Sequence, residues 1–174
     1  LSSAASDVYK RQMLISAFQI DLKLQIIPNR LTLTIFEFGL IFTFIGVIIN
    51  VNTGINLFIN SLLGMIVGAG IFLLITLIGG AIAGKEAMGF GDVKLMGAMG
   101  LFFGWFNIIL ISVIAFLLAA ITSIGILVLR KKKIDEYIPF GPFIVIGAII
   151  SIYTPFSILL IALLKIFSLG MYQL

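Results

Sequence analysis

LMGAMGLFFGWFNIILISVIAFLLAAITSIGILVL, residues 95–129, contains no charged side chain from end to end. A helix needs about 20 apolar residues to cross the hydrocarbon core of a bilayer. The stretch is long enough for two short crossings, with a break expected near Gly104 to Asn107. The same pattern extends outward from it. Ile55 to Ala83 is apolar and longer than one crossing requires, so it either starts along the interface or tilts. Leu31 to Val51 is a further span, closed by a turn at Asn52, Thr53 and Gly54. Met13 to Ile20 reads as the tail of a first span. Downstream, Ile138 to Tyr153 is a span, and Pro155 to Met171 is one more or a membrane-associated tail carrying Lys165. The expected fold is all-α, a polytopic transmembrane helix bundle of about six to seven segments with the first incomplete.

Composition agrees. Of 174 residues 61% are apolar and 10% charged, with a mean hydropathy of +1.29. Soluble domains carry about a quarter charged residues, so this chain lacks the material for a polar skin. The first twelve residues, LSSAASDVYKRQ, are polar and end abruptly at Met13. They are read as a non-native tail (1–12) ahead of one membrane-embedded domain, 13–174. No apolar core precedes a cleavage site there, so they do not read as a signal peptide.

Cysteine and histidine are both absent. That excludes a disulfide framework, a thiol nucleophile, a Cys/His zinc site and any serine or cysteine triad with a histidine base. Hydrolysis, if any, runs on carboxylates, lysine or a non-protein ion. The net charge of +4 is not interleaved with solvated aromatics, so no nucleic-acid partner is expected. The basic residues instead report topology. Apart from Lys10, Arg11 and Lys165, all lie in three polar segments: Lys23 and Arg30; Lys85 and Lys94; and Arg130 to Lys133. With the spans counted as above, these segments share one face, which the positive-inside tendency makes cytoplasmic.

The acids are few. Asp7 lies in the tail, and Asp135 and Glu136 sit beside the Arg130–Lys133 cluster, a topology and headgroup signal. Glu37, within a span, reads as a proton or substrate group, or as a carboxyl kept neutral. Asp21 ends one expected helix and Asp92 begins another, both on the same face. Ionisable groups at membrane depth tend to mark function, and two acids at one depth suit general acid–base work. The plainer alternative stays open: aspartate is a favoured helix N-cap, and Asp92 follows Gly91. The local string Gly89-Phe90-Gly91-Asp92 adds that its glycines let backbone approach another helix or an extended peptide.

Three motifs in order carry a resemblance. Gly84-Lys85-Glu86-Ala87-Met88-Gly89-Phe90-Gly91-Asp92-Val93-Lys94-Leu95 resembles the signature of bacterial type IV prepilin peptidases. Asp21 ahead of Ile27-Pro28-Asn29-Arg30-Leu31-Thr32 resembles that family's first catalytic segment, and Ile138-Pro139-Phe140-Gly141-Pro142-Phe143 its late segment. The resemblance implies a GxGD membrane aspartyl endopeptidase in the bacterial cytoplasmic membrane. Such enzymes act at the cytoplasmic face and remove the basic leader from prepilins or pseudopilins. On the matching positions Asp21 and Asp92 are the catalytic pair, and Gly89 and Gly91 the motif glycines beside the substrate. No metal or other cofactor is implied. Many members carry a four-cysteine region and methylate the new N-terminus; this sequence has no cysteine and does not support methylation. Glu86 reads either as a group that recognises the basic leader or as an ordinary interfacial loop acid, and Lys94 as tuning Asp92 or marking the inner face. Pro139 and Pro142 start or bend a helix near the site. Two other readings use the same acids: a presenilin-like GxGD intramembrane protease, and a non-enzymatic transporter or assembly subunit.

Overall fold

The structure, a computed structural model, describes residues 2–24, 27–49, 53–83, 88–128 and 139–167. Six helices make it up: α1 (Ser2–Leu24), α2 (Asn29–Ile49), α3 (Gly54–Ala83), α4 (Phe90–Val128), α5 (Gly141–Tyr153) and α6 (Phe156–Phe167), with no strand among the described residues. The all-α membrane bundle read from composition is what forms. Helices α2, α3 and α4 are long and apolar enough to cross a membrane, and α5 and α6 are shorter apolar helices. The outward surface fits lipid: Ile48, Ile82 and Val128 are 73%, 83% and 74% exposed. Helix α1 runs on through the polar residues 2–12 without a break. The cluster Arg130 to Lys133, with Asp135 and Glu136, lies outside the described residues, as do Lys85 and Glu86.

Proline sets the helix starts. Pro28 O accepts the N–H groups of Leu31 (3.0 Å) and Thr32 (3.3 Å), opening α2, and Pro155 O does the same for Ile158 and Leu159 in α6. Pro142 stands in the first turn of α5, where its missing N–H leaves no helical bond unmade.

The break expected between Gly104 and Asn107 falls at Gly104, the one non-helical residue inside α4, with φ 72° and ψ 172°. It is a reversal. A Cβ placed on Gly68 of α3 would lie 2.6 Å from Met96 O and 3.1 Å from Ile108 Cγ1. In an unbroken helix those two residues would stand about 18 Å apart. The two limbs of α4, 90–103 and 105–128, therefore run back alongside each other and both pack on α3. Counting the limbs separately gives seven helical segments. The Asn60 side chain of α3 closes the reversal, its Oδ1 accepting the Trp105 N–H at 3.4 Å.

The first limb can lie this close to α3 because glycine faces glycine. Cβ atoms on Gly64 or Gly100 would enter the opposing backbone, Gly100 O and Gly64 O respectively. Small residues spaced four apart (Gly64 and Gly68; Gly100 and Gly104) are the membrane device for such contact. The first limb of α4 is the centre of the bundle, with every residue from 95 to 101 buried. Phe72, Phe116 and Phe140 form a three-ring cluster, with centroids 5.0–5.7 Å apart, that ties α3, the second limb and the start of α5 together.

The backbone at Gly104 lies in a region essentially reserved for glycine, where another residue costs on the order of 1–3 kcal/mol. A Cβ there would also meet the Asn60 side chain at 2.5–2.9 Å. Gly104→Ala is expected to lower the thermal unfolding midpoint in detergent, while Gly125→Ala, which meets nothing within 4 Å, leaves it in place. Equal midpoints for the two variants would refute the reversal.

Candidate functional site

Among the described residues six polar or charged ones are buried: Asp21, Thr32, Thr43, Thr76, Asp92 and Ser112. The four hydroxyls need no further explanation. Each donates to a carbonyl three or four residues back in its own helix, at 2.7–2.9 Å, the usual resting place for such groups in apolar surroundings. The two acids are the exceptions. Both are 3% exposed, and a buried carboxyl without a cation or a full set of donors is costly.

Asp21 stands in the last turn of α1, on the stripe Leu14, Ala17 and Asp21 that faces inward. Asp92 stands in the first turn of α4, and its own N–H reaches Gly89 O at 3.1 Å. The helix begins at Phe90, so Asp92 lies inside it and is not its N-cap. That position still suits an acid, because the N-terminal turn favours negative charge. Asp21 is close enough for its charge to act on Asp92. The two acids quoted from separate motifs thus come together at one end of the bundle.

The remaining motif residues meet at the same place. Gly91 packs on the turn before α2: a Cβ there would lie 3.2 Å from Ile27 Cβ. Lys94 Nζ donates to Asn29 Oδ1 at 2.9 Å, joining the starts of α4 and α2. Gly141, at the start of α5, lies against Asp21 itself, where a Cβ would overlap the carboxyl Oδ2. That oxygen is buried with no hydrogen-bond partner among the described residues. Val93 and Lys94, the residues that follow Asp92, line a largely apolar cavity of about 550 Å³ between α2, α3 and the first limb of α4, with Asn29 also in its lining.

Not every candidate joins the cluster. Glu37 is exposed, on the side of α2 opposite the buried Ile35 and Gly39. The sequence left Lys94 between tuning Asp92 and marking a face, and its bond to Asn29 shows a third role, linking two motifs. The contact between Gly141 and Asp21 is not evident from the sequence, where the prolines on either side are the stronger signals. The available signal was a glycine held between Pro139 and Pro142. Among the described residues no group of three or more acids, cysteines or histidines is placed to hold a metal ion.

The fold and site define a polytopic helical membrane protein with two buried carboxyls gathered by three turn segments. The chain belongs to the type IV leader peptidase family, whose sequence profile matches residues 12–124. It is 30% identical over 140 residues to the prepilin leader peptidase/N-methyltransferase of Aeromonas hydrophila, covering 80% of this chain and 46% of that protein. The protein of the same name from Legionella pneumophila is 32% identical over 147 residues, covering 84% of this chain and 49% of the relative. That from Escherichia coli K12 is 29% identical over 133 residues, covering 76% and 56%. The chain thus spans about half the length of the relatives it matches. No solved structure matches it.

Because the chain has no cysteine, the meeting of motifs can be tested by cross-linking. Disulfide Cβ atoms lie about 3.8 Å apart, near the 3.2 Å between Ile27 Cβ and a Cβ on Gly91. Oxidation of the double variant Ile27→Cys/Gly91→Cys is expected to consume both thiols without forming dimers. Thiols that survive oxidation in the folded protein would show that the two segments stand apart.

Proposed function

We propose that this chain is the peptidase portion of a membrane aspartyl endopeptidase acting at the cytoplasmic face of a bacterial inner membrane. Its substrates are type IV prepilins or pilin-like secretion and competence subunits, from which it removes the basic leader. The observation that carries the reading is the convergence of Asp21 and Asp92, buried together at the junction of all three motifs. Family membership and the names of the relatives support the substrate class. The proposal concerns peptide hydrolysis alone and makes no claim on methylation.

The chemistry follows from two carboxyls in apolar surroundings. Such a pair does not readily hold two negative charges and shares one proton. The ionised member takes a proton from water as its oxygen attacks the peptide carbonyl carbon; the protonated member hydrogen-bonds the carbonyl oxygen. As the tetrahedral centre collapses, the C–N bond breaks and the nitrogen leaves with a proton, giving one new carboxyl and one new amine. Gly89 and Gly91 leave room for the extended backbone of the substrate beside Asp92. The neighbouring apolar cavity gives the substrate's hydrophobic residues somewhere to lie.

Asparagine keeps the shape of aspartate and loses its base. Asp21→Asn and Asp92→Asn are each expected to reduce leader removal by about 10²–10⁴-fold while leaving the protein folded and membrane-inserted. The measurement is co-expression with a prepilin, scoring leader loss by gel mobility and N-terminal sequence. Normal cleavage by both variants would sink the proposal. Ion flux that depends on the two acids, without proteolysis, would point to a transporter instead.

A further inference from the structure

We propose that Gly141 is the positioning residue for Asp21. Lacking a side chain, it lets the start of α5 close directly onto the carboxyl and fix where that carboxyl sits relative to Asp92. This rests on the proposed role of the two aspartates.

Three observations point the same way. The first is steric. Of the atoms a Cβ on Gly141 would meet, the three nearest all belong to Asp21: overlap with Oδ2, then Cγ at 2.8 Å and Cβ at 3.2 Å. Gly141 does not have a positive φ, so its backbone would accept alanine. The need for glycine here comes from Asp21 and not from the turn.

The second is a count of donors. A helix start leaves its first amides without partners inside the helix. In α5 the N–H groups of Phe143 and Ile144 are both taken by Phe140 O, at 3.0 and 3.3 Å. Pro142 has no N–H, and Phe140, at the cap position, gives no side-chain cap. The amide of Gly141 is what remains in that turn, on the residue whose Cβ would overlap the Asp21 carboxyl. Opposite it lies Oδ2 of Asp21, buried and without a hydrogen-bond partner among the described residues. The open helix end thus abuts the carboxyl, whose Oδ2 is left uncommitted among the described residues.

The third is that neither side can retreat. Ile144, Val145 and Ala148 hold α5 in the core at 0% exposure, and a Cβ on Gly147 would already lie 3.0 Å from Ile111 O. Leu14 and Ala17, at 3% and 2% exposure, seat α1 on the same side as Asp21. A methyl group at position 141 therefore displaces the carboxyl and not the helices.

The test combines kinetics with a stability cycle on the full chain in detergent. Gly141→Ala is expected to lower kcat on a purified prepilin by about 10²-fold, the scale of a misplacement near 1 Å, with KM unchanged. Gly125→Ala, in open space, serves as control. Thermal midpoints are then compared for the parent, Gly141→Ala, Asp21→Ala and the double variant. The expected result is a loss caused by Gly141→Ala in the parent that disappears in the Asp21→Ala background, the mark of direct coupling. If Gly141→Ala does not fold alone, recovery of folding in the double variant supports the contact. Parental cleavage by Gly141→Ala, or the same stability change in both backgrounds (including none), overturns the proposal. The cycle does not depend on proteolysis, so it still decides the contact if Asp21→Asn proves active.

Discussion

Two carboxyl groups buried at the same end of a bundle that, among its described residues, otherwise buries hydrocarbon and self-satisfied hydroxyls are the constraint on which this structure turns. Among the described residues no basic side chain is buried with them. What they receive is oriented backbone. Asp92 occupies the first turn of α4, where free amides and the helix dipole favour an acid. Asp21 ends α1, the less favourable terminus for negative charge, and the start of α5 comes to meet it. Three helix junctions have to coincide for this, and proline and glycine arrange it. Proline fixes where α2 and α5 begin; Gly91 lets the start of α4 pack on the turn before α2, and Gly141 lets the start of α5 close on the end of α1.

Such coincidence requires a rigid frame, supplied by the first limb of α4. It carries Asp92 at its start, is buried from 95 to 101, and reverses at Gly104 so that the second limb can brace α3 and α5. Between hydrocarbon-coated helices in lipid there is little hydrophobic gain on association, so close backbone packing has to supply the cohesion. The near contact of Gly64 with Gly100 and of Gly68 with Met96 is that packing. Its effect reaches the site: α3 lies against both limbs and lines, through Met65 and Ala69, the cavity beside Asp92.

Much of this was legible in the sequence because bilayers restrict what a chain can do. Long uncharged runs specify helices, and the scarcity of acids made Asp21 and Asp92 easy to isolate. The break near Gly104 was legible because glycine followed by Trp105-Phe106-Asn107 interrupts an otherwise uniform run. Its nature was not, since whether a break bends or reverses a helix depends on what packs alongside. The N-cap reading of Asp92 failed by a small shift in register, because the helix starts at Phe90 and carries the acid inside its first turn. The role of Gly141 is hidden in the sequence for a different reason. A glycine's partner is named only by the space it leaves empty, and that space is defined by Asp21, on a helix far away in sequence.

The placement of the acids at helix ends follows from what a bilayer permits. Within a membrane-spanning helix the backbone donors and acceptors are already paired, so a mid-helix pair of acids would find no amide to orient it. At the ends, amides and carbonyls are free, and an incoming peptide can use them too. A substrate cleaved where a polar leader joins a hydrophobic helix presents its extended bond at that same depth. A pair of acids between the last turn of one helix and the first turn of another, with glycine on both approaches, suits such a bond better than a site deep in the bundle. The convergence of α1, α2, α4 and α5 at one end is thus what the physics of the membrane and the proposed chemistry both require.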